Sequence, residues 1–276
     1  MRLKRHLFMM LMSGMACASA TASSHAEDKK NSNADNSSQW VVTLGTSVEY
    51  GPNFPGSKHS SYSGMPSIDI RSADEPDEFS APDDNIDYGL LEFNGVEIGP
   101  VLGFRDSRIL SDERKLRGVH EVKWDFDLGL FAQYWISENQ FRVRGELRHA
   151  VLHDSGLVAD LGADWFLPIN DQIVLSAGPR LSFANQRYMK TYFSVTPQDA
   201  AANGSITPFN AGAGISSVGL AISAKYDVTP DWSVQVYHRY DCLVGDAADS
   251  PIVARFGSPN QFTFGVTLTK AFTIDF

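Results

Sequence analysis

Residues 262–276, "FTFGVTLTKAFTIDF", carry the sequence to its last residue inside an alternating run. Phe262, Phe264, Val266, Leu268, Lys270, Phe272, Ile274 and Phe276 share one phase; Thr263, Gly265, Thr267, Thr269, Ala271, Thr273 and Asp275 share the other. A period of two is that of a strand with one apolar and one polar face. At about 3.3 Å per residue the run is longer than an ordinary globular strand, and long enough to cross a bilayer at a tilt. Lys270 is the misfit in the apolar phase, and its long stem lets the ammonium snorkel toward an interface.

The opening stretch, "MRLKRHLFMMLMSGMACASATASSHAEDKK", points to the same address. Arg2, Lys4 and Arg5 precede an apolar segment from Leu7 to about Ala18, and small residues follow. That is the pattern of a secretory signal, too short for a membrane-spanning helix. Cleavage after Ala26 divides the chain into a signal peptide over 1–26, a disordered polar leader over 27–39 and a barrel over 40–276. Removing three basic residues moves the formal charge from -10 to -13, an acidic balance that argues against nucleic acid as a partner. Cys17 leaves with the signal, so Cys242 stands alone and no intramolecular disulfide forms. No later stretch approaches the ~18 consecutive apolar residues of a membrane helix.

Alternation recurs from Trp40 onward, punctuated by turn residues. "VKWDFDLGLFAQYW" sets Val122, Trp124, Phe126, Leu128, Leu130, Ala132 and Tyr134 against Lys123, Asp125, Asp127, Gly129 and Gln133. "FRVRGELRHAVL" sets Phe141, Val143, Leu147 and His149 against Arg142, Arg144, Glu146 and Arg148. The segments fall near 40–50, 63–72, 96–106, 119–135, 141–152, 156–168, 172–185, 211–228, 231–244 and 260–276. Two further short strands, near 77–81 and 86–93, make twelve; without them there are ten. "SEN", "PIND" and "VTPD" are short joins, whereas 186–210 and 245–259 are long. Short turns at one end and long loops at the other are the asymmetry of an outer-membrane barrel. Tyr50, Trp135, Trp165, Tyr226 and Trp232 lie near segment ends, as an interfacial belt requires. The fold class is therefore all-β, a transmembrane antiparallel up-and-down barrel with short periplasmic turns and longer extracellular loops. A soluble β-sandwich shares the alternation but not the signal, the strand length or the loop asymmetry.

A charged side chain on the lipid face costs about 2–4 kcal/mol near the midplane. Arg142, Arg144, Arg148, Arg180, Lys225 and Arg239 should therefore point into the lumen, with Asp125, Asp127, Glu146, Asp160, Asp164 and Asp241. Opposite charges in a confined lumen pair into a rigid, nearly closed interior, in preference to a charged selective pore. "RHAVLHDSG" offers His149, His153, Asp154 and Ser155, but residues so close along one extended chain do not converge as base and nucleophile must. The sequence reads as no enzyme. The acidic run 74–84 reads as a solvated loop, and no motif calls for a cofactor or metal.

"YGPNFPGS" (50–57), "RYMKTYFSVTPQDAAANG" (187–204, with "TYFSVTPQDA" from Thr191 to Ala200) and "GDAADSPIV" (Gly245 to Val253) together resemble the MipA/OmpV family of outer-membrane proteins. The resemblance runs from about Trp40 to Phe276. It implies a Gram-negative outer-membrane barrel in contact with lipid. It also implies that Phe272, Ile274 and the terminal Phe276 address the chain to the barrel-assembly machinery. The name-giving member is a scaffold for a lytic murein transglycosylase and a bifunctional murein synthase, and the OmpV branch is associated with porin-like transport and adhesion. The reading is thus a non-enzymatic scaffold for murein enzymes; a small-solute channel or a surface adhesin are the alternatives.

Overall fold

The computed structural model describes residues 2–3, 39–74, 79–109 and 113–275. Most of the expected signal peptide, leader residues 27–38, residues 75–78 of the acidic run and Phe276 lie outside the described residues.

Period-two patterning produces the wall. In chain order the strands are β1 (Arg2–Leu3), β2 (Gln39–Pro52), β3 (Ser60–Ser72), β4 (Ile86–Asp87), β5 (Leu91–Phe93), β6 (Val96–Arg105), β7 (Asp125–Ser137), β8 (Phe141–Ala150), β9 (Leu157–Asn170), β10 (Ile173–Ala184), β11 (Gly214–Thr229), β12 (Trp232–Leu243) and β13 (Asn260–Asp275). Every long strand pairs antiparallel with its sequence neighbour from β6 to β13, and β13 then pairs with β2. The run over 262–275 thus joins β13 to β2, with Phe272 opposite Val42 and Val266 opposite Val48. The two-residue β1 lies against β5. Leu128, Leu130, Leu147, Leu161 and Phe264 are all exposed on the outer face. An exposed apolar belt around a polar interior is stable only in lipid, where a nearly closed sheet also satisfies most of its backbone groups. Among the described residues no helix is long and apolar enough to cross a membrane.

The wall has one seam. β4 and β5 lie in register on β6, and Tyr88 N–H and Leu90 N–H continue the pairing to the carbonyls of Pro100 and Ile98. They form one interrupted strand, so among the described residues the barrel has eleven strands, or twelve if β4 and β5 are counted apart. Antiparallel alternation around the sheet makes β3 and the β4–β5 strand run in the same direction, and no ladder joins them among the described residues. The short strand expected near 77–81 is not formed over 79–81. Residues 79–85, between β3 and β4, lie in the lumen instead of the wall. Gly99 makes room for the interrupted strand that pairs with β6: a Cβ there would stand 1.8 Å from the Tyr88 carbonyl oxygen.

Three further expectations are corrected. β7 begins at Asp125, not near 119, because Val122 bridges to Arg108 and is buried among loop residues. Trp135 does not sit in the interfacial belt; its ring lies 5.4 Å from the inward, buried Phe166 and near the Arg142 guanidinium. Asp125 does not face an arginine. Its carboxylate, fully buried, accepts the backbone N–H groups of Phe126, Leu152 and His153 and the Ser155 hydroxyl at 2.8–3.1 Å. Three of the four donors come from residues 151–156, so the carboxylate fixes that turn.

Removing that acceptor strands several donors, each costing about 1–3 kcal/mol when buried. Asp125→Ala is expected to destabilise the folded barrel by roughly 3 kcal/mol or more, read as a lower urea midpoint of the refolded protein in detergent. Asp125→Asn should lose less, because its amide oxygen still accepts.

Candidate functional site

Inside the barrel the charges are paired around a segment that is not a strand. Residues 79–85 place Asp83 and Asp84 against the arginines of the wall. Arg180 donates from Nε and Nη2 to the two oxygens of Asp83, both at 2.8 Å. Arg142 donates from Nη1 and Nη2 to the two oxygens of Asp84, at 2.7 and 3.0 Å. Arg239 reaches Asp83 at 3.0 Å, and Arg144 reaches Asp87 at 2.5 Å. Asn85 donates to Glu146 at 2.8 Å. Phe79 packs 5.7 Å from Phe166, which anchors the segment on the aromatic layer with Trp135. The reading of Asp83 and Asp84 as a solvated loop is therefore corrected. Burying a carboxylate is costly unless it is paired, and the lumen supplies the partners.

The wall arginines each keep a second carboxylate from their own or a neighbouring strand. Arg142 and Arg180 share Asp164 at 2.9 and 2.6 Å; Arg239 holds Asp241 at 2.7 Å. Arg148 meets Glu146, Asp127 and Asp160. Arg105, which no sequence pattern singled out, takes Asp127 at 2.6 Å and donates to the carbonyls of Ser155 and Gly156. Lys225 pairs with Asp227. Lys270 lies on the outer face with its ammonium 5.1 and 4.9 Å from the Trp232 and Phe272 rings. Ile274 and Phe272 are on that same face.

Beside the latched segment runs a cavity of about 1320 Å³. It reaches from Gly95, Glu138 and Asp231 at the short-turn end to Phe54, Tyr188 and Phe193 at the other. Its far wall is lined by small polar residues of β2, β12 and β13, among them Thr43, Ser47, Ser233 and Thr267.

The long loops do not stand free. They fold into a cap built from α1 (Gln186–Phe193), α2 (Pro197–Asn203), α3 (Gly245–Asp249) and a π-helical turn over Ile252–Phe256. Met189, Tyr192, Phe193, Val195, Ala211, Ala247, Ile252, Val253 and Phe54 are buried there, with Leu116 and Val119 from the loop after β6. Its joints come from the stretches that carry the family resemblance. Ser250 Oγ donates to the Phe193 carbonyl at 2.5 Å, and Ser194 Oγ accepts the Ala211 N–H at 2.8 Å. Thr196 and Asp199 form a capping box at the start of α2. Gly56, at φ 92°, donates its N–H to Gln261 at 3.0 Å. Asp199 also accepts from His120, at the backbone N–H and at Nδ1. His149 is exposed on the outer face beside Asp154, and His153 lies 3.8 Å from Asp125.

A lipid-belted barrel with its lumen latched inside and covered outside is an outer-membrane β-barrel protein. The profile of the MipA family, MltA-interacting protein, matches residues 44–272, and the chain belongs to that family. No curated protein sequence matches it. Among solved structures it is similar to an outer-membrane channel from Pseudomonas putida F1, at 8% identity and a TM-score of 0.39, over 90% of this chain and 100% of that one. It is also similar to the NanC porin, at 9% identity and a TM-score of 0.37, over 84% and 98%. OmpT of Vibrio cholerae is similar at 9% identity and a TM-score of 0.34, over 87% and 99%.

Burial raises the Asp199 carboxyl, but the bonds from His120 and Thr196 outweigh it and hold the group below the usual carboxylate range. A depressed folded-state pKa stabilises above the ordinary carboxylate value of about 3.9, and the contribution is lost as pH falls through the folded value. The cap should therefore become pepsin-sensitive on acidification from about pH 4 toward pH 2. Asp199→Asn should be cleaved with a smaller dependence on pH over the same range.

Proposed function

We propose that the protein is a non-enzymatic scaffold of the outer membrane, holding murein-remodelling enzymes, a lytic transglycosylase and a murein synthase, at its periplasmic end. The observation that carries this reading is the closure of the barrel: lumen charges latched to residues 79–85 and the outer mouth covered by a packed cap. A wall braced in this way is a rigid post, which suits a platform better than a wide pore. The name of the family supplies the class of partner. The face offered to the periplasm includes, among the described residues, the turns at 94–95, 138–140, 171–172 and 230–231, and the polar leader over 27–39 is the second contact surface of this reading. Asn94 and Gly95, at φ 51° and 80°, and Asn139, at φ 53°, make these turns tight.

A second reading, a small-solute channel, is favoured by the cavity that runs past Asp83 from one end of the lumen toward the other. Under it, Arg142, Arg144, Arg148, Arg180 and Arg239 with Asp127, Asp160 and Asp164 line the route. The adhesin reading loses ground because α2 is part of the packed cap; deleting 196–207 would open the cap rather than trim a free loop.

The refolded barrel, immobilised as bait in solubilised cell envelope beside an unrelated barrel, tests the scaffold. Selective retention of a lytic transglycosylase or murein synthase is expected, and exchange of the 138–140 and 171–172 turns for those of the control barrel should weaken it. Retention equal to the control contradicts the scaffold reading.

A further inference from the structure

We infer that the lumen arginines form a binding site for small di- and tricarboxylates, and that Asp83 and Asp84 of the same chain occupy it. Two adjacent carboxylates are each gripped by a two-point guanidinium fork, Asp83 by Arg180 and Asp84 by Arg142. Planar forks of this kind match the geometry of a carboxylate and discriminate for it. The inference goes beyond the scaffold and does not depend on it, since a barrel that passes no solute can still bind one.

Three features make the internal occupant replaceable. The first is what remains after it leaves. Arg142 and Arg180 keep Asp164, Arg239 keeps Asp241 and Arg144 keeps Glu146. No bare cation is stranded, yet each fork is left with open donors, which is the state of an anion receptor. Among the described residues Arg142 Nε already has no hydrogen-bond partner, although the side chain is only 2% exposed. The second feature is the mounting. Residues 79–85 belong to no strand, and the backbone bond within the segment, from Asp84 N–H to the Ala81 carbonyl, is local. Displacing it breaks ion pairs, the Asn85–Glu146 hydrogen bond and the Phe79–Phe166 contact, but no ladder among the described residues. The third is access: the 1320 Å³ cavity is lined by Asp83, Asp84 and the arginines together, so a solute meets the pairs from water.

An internal competitor lowers apparent affinity by the fraction of time it vacates the site. Neutralising it without changing shape should therefore tighten binding. Isothermal titration of citrate into the refolded full-length barrel is expected to give weak binding, and Asp83→Asn with Asp84→Asn to bind at least about tenfold more tightly. Equal affinities, or no binding to the doubly substituted barrel while it keeps its heat-modifiable mobility, overturn the inference. A second measurement leaves the latch intact. In a Cys242→Ser background, Ala81→Cys places a thiol at a buried position on the segment. Saturating citrate should raise its rate of alkylation several-fold over chloride at equal ionic strength. No rise, or the same rise with chloride, also overturns it, because the second outcome is screening and not competition.

Discussion

Arg142 is the point on which the interior turns. Its guanidinium is buried over the Phe166 ring, and it joins Asp164 of the wall to Asp84 of the inner segment. A cation in a lumen has three options: it meets lipid, it meets water or it meets carboxylates. The strand period aims Arg142 inward, away from lipid, and the Trp135 and Phe166 rings cover part of its guanidinium. Carboxylates are what remains, and the wall alone provides Asp164 for two arginines. The inner segment makes up the difference.

That requirement explains the seam. In sequence, the link between β3 and β4 carries Pro76, Pro82 and a high density of carboxylates. As a wall strand it would present acids to hydrocarbon and remove ladder N–H groups at the prolines. In the lumen the same residues are assets: Asp83 and Asp84 find guanidinium partners, and Pro82 breaks no ladder. The barrel therefore tolerates an incomplete wall, with like-directed strands on either side of the gap, in exchange for a neutralised interior.

Much of this was legible in the sequence, for a physical reason. Period two sorts side chains to faces with no reference to the rest of the chain, so Asp127, Arg142, Arg144 and Arg148 on one face and Leu128, Leu130 and Leu147 on the other follow from spacing alone. The short turns followed equally well, because Gly, Pro, Asn and Asp act locally. What alternation could not give was anything settled by contact across the lumen. Asp125 has the right phase to face an arginine but is consumed by backbone N–H groups from a turn 27 and 28 residues away. Asp83 and Asp84 look like any acidic loop until Arg180 and Arg142, 97 and 58 residues on, are placed beside them. Pro82, directly before the two acids, was the available signal that this stretch was unsuited to a membrane strand. Val122 continued the alternation of β7, yet the cap claimed it. The residues of the family resemblance likewise gave no hint of their role until Ser194, Thr196, Asp199 and Ser250 proved to be joints of that cap.

The central claim is that the inner segment is held by its arginines and not merely enclosed with them. A double-mutant cycle on Asp84→Ala and Arg142→Ala, read from urea unfolding of the refolded barrel, measures that hold directly. Residues coupled through a shared ion-pair network give interaction energies of roughly 0.5–3 kcal/mol, and the account places this pair near the upper end, at about 2 kcal/mol or more. Additive losses, with a coupling indistinguishable from zero, would mean that Asp84 sits beside Arg142 without holding the segment, and would contradict the account.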